Sequence, residues 1–258
     1  GLLSGGALVS GMQGAMFALD LGLARDILED CRRDPGRDAP LVRALMAATD
    51  RETGRPLPDD VICDELIVFM GAGHDTTATT LAYTLWQLGR HRHLQDRVRA
   101  EVDALGHATP TPDDVPALPY TAQVLHEALR LCPPGAGLAR EAKRDIEVGG
   151  YRVEAGSMLV FGIWAVQRDP SLWPDPLSFD PGRFSPEKAK QIDRWQYLPF
   201  GAGPRSCIGD HFAMLEATLA LATIVKRCEI TALADDFPVA TPFTTVADAP
   251  VPARVVKR

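Results

Sequence analysis

The chain has 258 residues, 46% hydrophobic and 24% charged, an ordinary globular composition long enough for one large core or two small ones. A formal charge of −7 argues against nucleic acid as a partner. The longest apolar runs, such as Met158 to Val166, are far too short to span a bilayer, so membrane association is not indicated. The opening Gly1-Leu2-Leu3 lacks the basic region of a secretory leader. The five cysteines form no Cys-x-x-Cys pair, which disfavours zinc and iron–sulfur frameworks. An odd cysteine count without a secretion signal points to reduced thiols and a cytoplasmic location.

Residues 1 to about 50 read as two or three amphipathic helices, broken at Asp34-Pro35-Gly36. After the loop Gly54 to Pro58, Asp59 and Asp60 supply N-cap chemistry for a long helix over about 61–88. That helix is apolar on nearly every face, through Leu66, Ile67, Val68, Phe69, Met70, Leu81 and Leu85, and is expected to be buried throughout. A helix over about 94–105, a proline-rich connector from Pro110 to Pro119 and a helix over about 120–131 follow, the last stopped by Pro133-Pro134. Ile146–Val148 and Tyr151–Val153 flank Gly149-Gly150 as a hairpin, and Met158–Phe161 reads as a third strand. Residues 168–199, dense in Pro, Asp and Trp, read as an ordered meander whose aromatics need burial. A last helix covers 210–226, with short strands after it.

The most informative segment is 200–209, Phe200-Gly201-Ala202-Gly203-Pro204-Arg205-Ser206-Cys207-Ile208-Gly209. A lone cysteine is usually a small buried hydrophobe. Here Gly201 and Gly203 permit tight turns, Pro204 stiffens the loop, and Arg205 sets a positive charge two residues from the sulfur. The helix behind would present its positive end to a thiolate. Gly209 and Ala213 keep the surface low, as a large flat metal-centred group would require.

Phe200-x-x-Gly203-x-Arg205-x-Cys207-x-Gly209-x-x-x-Ala213 resembles the haem-binding signature of the cytochrome P450 family at every position. The resemblance implies that Cys207 is the axial thiolate of haem b, that Arg205 pairs with a propionate and that Phe200 shields the sulfur. A second motif, Ala72-Gly73-His74-Asp75-Thr76-Thr77, lies mid-helix. Its plain explanation is close helix packing at the glycines, with hydroxyls bonded back to the preceding turn. The resemblance makes Ala72 and Gly73 a groove over the cofactor, Thr76 the partner of bound oxygen and Asp75 a proton relay, with His74 structural or part of that relay.

Glu127-Ala128-Leu129-Arg130 sets Glu127 and Arg130 on one helical face, which any helix can do at little value. The apolar residues around them suggest burial. The resemblance is to the family's Glu-x-x-Arg helix, with Arg183 of Phe179-Asp180-Pro181-Gly182-Arg183-Phe184 as third member of a structural network. Gly182 stands where the family often has glutamate. Arg140 is either a second propionate partner or a surface arginine. Arg90 to Arg99 is either a docking patch for an electron donor or a solvated helix face. Gly71-Ala72-Gly73 also looks briefly like a dinucleotide loop, but Thr76 occupies the third glycine's place.

The resemblance thus implies a mainly α fold with a small β region, the C-terminal part of a single cytochrome P450 domain over 1–258, lacking the N-terminal part of that fold. The implied activity is a haem-thiolate monooxygenase acting on a small organic, apolar substrate with O2 as co-substrate. Phe69, Met70, Pro134 to Leu138 and Phe243 are candidate pocket residues. Electrons come ultimately from NAD(P)H through an external reductase or ferredoxin. The alternative is a non-catalytic haem-binding fragment or inactive truncation of such an enzyme.

Overall fold

A computed structural model describes residues 22–242 and 244–258. They fall into two compact units with the boundary after His74. In the first, helix α1 covers residues 22–33 and α2 covers Pro40–Ala47, separated by the expected break, where the Asp34 carboxylate accepts from the Gly36 amide at 2.9 Å. The part of the first helical expectation that falls on residues 1–21 lies outside the described residues, as does Phe243. Pro40 opens α2 where a missing N–H costs nothing. Ala24, Leu28 and Cys31, at i, i+4 and i+7 on α1, meet Val42 of α2 and Ile62, Cys63, Leu66 and Ile67 of the long helix α3 (Asp59–Arg90) in one core. Arg32 of α1 ion-pairs with Asp59 at the start of α3.

Helix α3 is not buried throughout. Val68 is 60% exposed, and Gly71, Ala72, Gly73, His74 and Asp75 form a complete exposed turn. The physical reason is that Gly71, Ala72 and Gly73 offer almost no apolar side chain, so nothing drives that turn into a core. Burial resumes in the second unit on one side of the helix, at Thr77, Thr80, Thr84 and Leu88 among others. There the Thr80 and Thr84 hydroxyls donate to the carbonyls of Thr76 and Thr80, at 2.9 and 2.7 Å, which lets buried threonines satisfy themselves within the helix.

The core of the second unit forms between the C-terminal part of α3, α4 (Arg92–Asp103), α5 (Pro119–Leu131) and α8 (Asp210–Arg227), with Leu88, Val98, Val102, Val124, Leu125, Leu221 and Val225 at its centre. Helix α5 has no capping side chain of its own. The Glu101 carboxylate of α4 caps it from outside, accepting from the Tyr120 and Thr121 amides at 2.7 Å each. The proline-rich connector holds a short 3-10 turn, Pro112–Ala117, fixed by a reciprocal Thr111–Asp114 cap.

Four two-stranded antiparallel ladders complete the unit. Strand β1 (Leu138–Glu141) pairs with β4 (Met158–Phe161), and β2 (Ile146–Val148) with β3 (Tyr151–Val153) across Gly149 and Gly150, both at positive φ. Strand β5 (Cys228–Ala232) pairs with β8 (Ala253–Lys257), and β6 (Val239–Ala240) with β7 (Val246–Ala247). The fold is mainly α with a small β region. Strand β1 has no counterpart in the sequence reading; Met158–Phe161 supplies the partner that makes Leu138–Glu141 a strand. The meander buries Trp173 and Phe184, while Trp195 stays 55% exposed under the Arg194 guanidinium. Its short turns are Pro181–Phe184 and α7 (Pro186–Ala189), after α6 (Ile163–Val166). No helix among the described residues is long and apolar enough to cross a membrane.

Candidate active site

All five cysteines lie in the described residues. Cys31, Cys63 and Cys132 are buried, Cys228 is half-buried, and Cys207 is exposed. Burial pushes the Cys132 thiol up to about 12 and raises that of Cys63, which makes both inert. Cys207 therefore stands apart by accessibility.

The loop around it is held from within. The Cys207 amide donates to the Phe200 carbonyl at 2.8 Å, and the Ser206 amide to the Gly203 carbonyl at 3.0 Å. Both N–H groups are thus spent within the loop and do not point at the sulfur. Gly201 at φ +70° and Gly203 at φ +77° occupy left-handed backbone that costs other residues about 1–2 kcal/mol. Gly201 also packs tightly: a Cβ there would come 3.4 Å from Leu138 of β1, while one on Gly209 would lie 3.9 Å from the Cys207 sulfur. Gly209 is the N-cap of α8, and Ala213 returns its amide to the Gly209 carbonyl at 2.8 Å. Phe200, Gly201, Gly209 and Ala213 are half-buried; Arg205 and Cys207 are exposed.

A large apolar surface lies open around this loop. Ile208 is 84% exposed and Phe212 67%. Phe161, paired with Leu138 across the β1–β4 ladder, is 61% exposed. An exposed soft sulfur donor, flanking apolar side chains and the cationic Arg205 fit a flat apolar macrocycle with a thiolate-bound metal and an anionic periphery. Among the described residues no cluster of three or more His, Cys, Asp or Glu is placed to hold a metal ion. Arg140 lies on β1, exposed, with Nη1 donating to the Ala139 carbonyl at 2.8 Å.

Asp75 is exposed and Thr76 half-buried on α3, at the start of the second unit; Ala72 and Gly73 are exposed and belong to the first. A Cβ on Gly73 would meet nothing within 4 Å, so close helix packing does not explain that glycine.

Behind the loop, Glu127 and Arg130 are both fully buried. Arg130 donates bidentately to Glu127, at 2.7 and 2.8 Å, and also to the carbonyls of Gln167, Pro176 and Ser178. The Arg130 guanidinium lies 5.0 Å from the Trp173 ring centroid. Arg183 stands 3.4 Å from Glu127 and donates to the Asp175 carbonyl, and the Asp180 amide donates to Glu127. Burial raises the pKa of the Glu127 carboxyl from its ordinary value, against the pull of Arg130. This arrangement fixes the meander to α5 without presenting a reactive group. Two participants escaped the sequence reading. Gln167 is fully buried, and the His126–Tyr197 pair joins α5 to the meander at 2.9 Å. A buried glutamine in a polar-rich loop carries no sequence signal; His126 beside Glu127 was visible but had no identifiable partner.

The basic stretch from Arg90, the last residue of α3, to Arg99 of α4 is largely engaged. Arg92 pairs with Asp96 and Glu229, Arg99 with Asp96, Arg97 lies over Tyr120, and Arg90 over Trp86. Arg92 and Arg99 are thus ion-paired, while Arg90 and Arg97 rest on aromatic rings.

The cytochrome P450 family pattern matches residues 22–255. The chain is 40% identical over 203 residues to cyclooctat-9-en-7-ol 5-monooxygenase of Streptomyces melanosporofaciens, covering 78% of this chain and 44% of that protein. It is 38% identical over 208 residues to pentalenene oxygenase of Streptomyces avermitilis, covering 80% of this chain and 46% of that one. The solved heme domain of cytochrome P450DA superposes with a TM-score of 0.85 at 35% identity, over 92% of this chain and 53% of that structure. The chain spans under half the length of these curated relatives. With family pattern, relatives and fold in agreement around an exposed cysteine, the chain belongs to the cytochrome P450 family, whose cofactor is haem.

Proposed function

We propose that this chain is the C-terminal part of a single cytochrome P450 domain and that the protein is a haem-thiolate monooxygenase. The observation that carries the reading is Cys207: an exposed thiol on a loop locked by its own amide and by two glycines at positive φ. Cys207 would ligate the iron, Arg205 would pair with a haem carboxylate, and Phe200, Gly201, Gly209 and Ala213 would face the cofactor from the sulfur side. Arg140 is assigned to a second carboxylate by family likeness. Haem held by a thiolate supplies activation of O2 with two electrons, one oxygen atom passing into the substrate and the other leaving as water.

The chain's own residues supply protons and shape. Asp75, exposed, takes protons from solvent at its carboxylate; the Thr76 hydroxyl passes them inward. The balance is substrate, O2, two electrons and two protons giving hydroxylated substrate and water. The electrons are assigned, by family likeness, to an external reductase or ferredoxin fed by NAD(P)H in the cytoplasm. Two relatives are named for oxygenating cyclooctat-9-en-7-ol and pentalenene. Only the class extends here: a small organic, apolar molecule.

The test is oxygen labelling. The haem-loaded protein with an electron donor and labelled O2 is expected to place one labelled atom in an apolar product; product oxygen drawn from water would contradict the reading.

A further inference from the structure

We propose that Gln167 is a positioning residue for the cysteine loop. It suspends the start of that loop from the last turn of α5 and thereby sets where Cys207 stands. The proposal rests on the reading of Cys207 as the haem ligand.

The argument begins with two prolines. The carbonyls of Leu129 and Arg130 would ordinarily accept from the amides four residues on, at positions 133 and 134. Both are proline and have no N–H, so two carbonyls at a buried helix end are orphaned. The Gln167 side chain supplies both missing donors: its Nε2 donates to the Leu129 and Arg130 carbonyls at 3.0 Å each. Its Oε1 accepts from the Leu198 amide at 2.8 Å. Two carbonyls on one side and an N–H on the other leave a single possible orientation of the amide. The residue is fully buried, and its own carbonyl takes Arg130 Nη1 at 2.8 Å.

From Leu198 the connection runs on to the sulfur. The Leu198 carbonyl accepts from the Gly201 amide at 3.0 Å, and the Phe200 carbonyl accepts from the Cys207 amide at 2.8 Å. A continuous backbone path thus links the end of α5 to Cys207, and the Gln167 amide is its first link. A plain helix cap would need only the two donor arms; the third arm, to Leu198, has no role in capping α5.

Hydrogen exchange and the spectrum of the haem-loaded protein test this. In the unmodified protein the amides of Leu198, Gly201 and Cys207 are expected to share the protection of the last turn of α5. Exchange of Leu198 at the rate of an open loop would overturn the proposal even if no variant folds. In Q167M, which removes all three bonds at similar volume, those three amides are expected to exchange about tenfold faster or more while mid-α8 amides hold their rate. The share of haem giving the red-shifted ferrous–CO band falls with them. In Q167E the protection of those three amides, taken relative to mid-α8 amides at the same pH, and the red-shifted band are both expected to recover as pH falls, because a neutral carboxyl again has one donor and one acceptor; Q167M has no such relative recovery. Unchanged exchange and band in Q167M, or loosening of α8 to the same degree, would contradict the assignment. The exchange arm needs no haem, so an unchanged band in Cys207→Ser would strike the ligand reading while loosened amides in Q167M still support the anchor.

Discussion

His126 shows how burial at one residue sets a pH response. Its ring lies against Phe184, with a centroid distance of 5.4 Å, and its Nδ1 is 2.9 Å from the Tyr197 hydroxyl. Burial lowers its pKa from the usual value of about 6.5. A lowered folded-state pKa means the unfolded chain binds more protons as pH drops below about 6.5, so the contribution of His126 is complete above that value and fades below it. Glu127, raised by burial, acts in the opposite sense, losing stability as pH climbs past the carboxylate range. The comparison is therefore made between variants. Replacing His126 by Gln, which keeps a partner for Tyr197, is expected to flatten the loss of unfolding free energy between pH 6.5 and 5.5 relative to the unmodified protein. Denaturant midpoints at the two pH values measure it, and parallel losses would refute it. At the same scale, Thr76→Ala is expected to lower product formed per NAD(P)H consumed with little change in fold. Undiminished coupling would remove Thr76 from the proton path.

Among elements, α5 bears the most. Its N-terminus is capped by Glu101 and its C-terminus by Gln167, both from outside the helix, and its buried Glu127–Arg130 pair holds the meander. Replacing a buried ion pair with apolar residues is often harmless, but Arg130 also serves three main-chain carbonyls, which no apolar residue can do. Glu127→Gln leaves Arg130 and Arg183 without their anion and is expected to cost about 3–5 kcal/mol. Chemical denaturation measures this, and a loss under about 1 kcal/mol would show the network to be dispensable.

The same helix shows what sequence could tell. The spacing of Glu127 and Arg130 and the apolar residues around them made a buried pair legible, and the proline pair marked the helix end. The donors that satisfy that end, Gln167 in particular, were not legible, because they arrive from a segment 38 residues away and depend on tertiary approach. Strand β1 was missed for the same reason: Leu138–Glu141 is a strand only because Met158–Phe161 lies beside it. Helix α3 was legible as a helix but not in its exposure, since its overall apolar content hid one turn of Gly, Ala, Gly, His and Asp with nothing to bury.

At the scale of the molecule, two units each hold their own core, and the second keeps an uncovered apolar surface around Cys207. Ile208 and Phe212 are far more exposed than a closed core would leave them, and as apolar side chains beside Cys207 in sequence they fit a large apolar group. Haem loading is accordingly the property on which the account turns. The most direct measurement is the ferrous–CO difference spectrum of the haem-loaded protein beside that of Cys207→Ser. The account predicts a red-shifted Soret band in the unmodified protein and its loss in the variant; the same band in both would show that Cys207 does not ligate the iron.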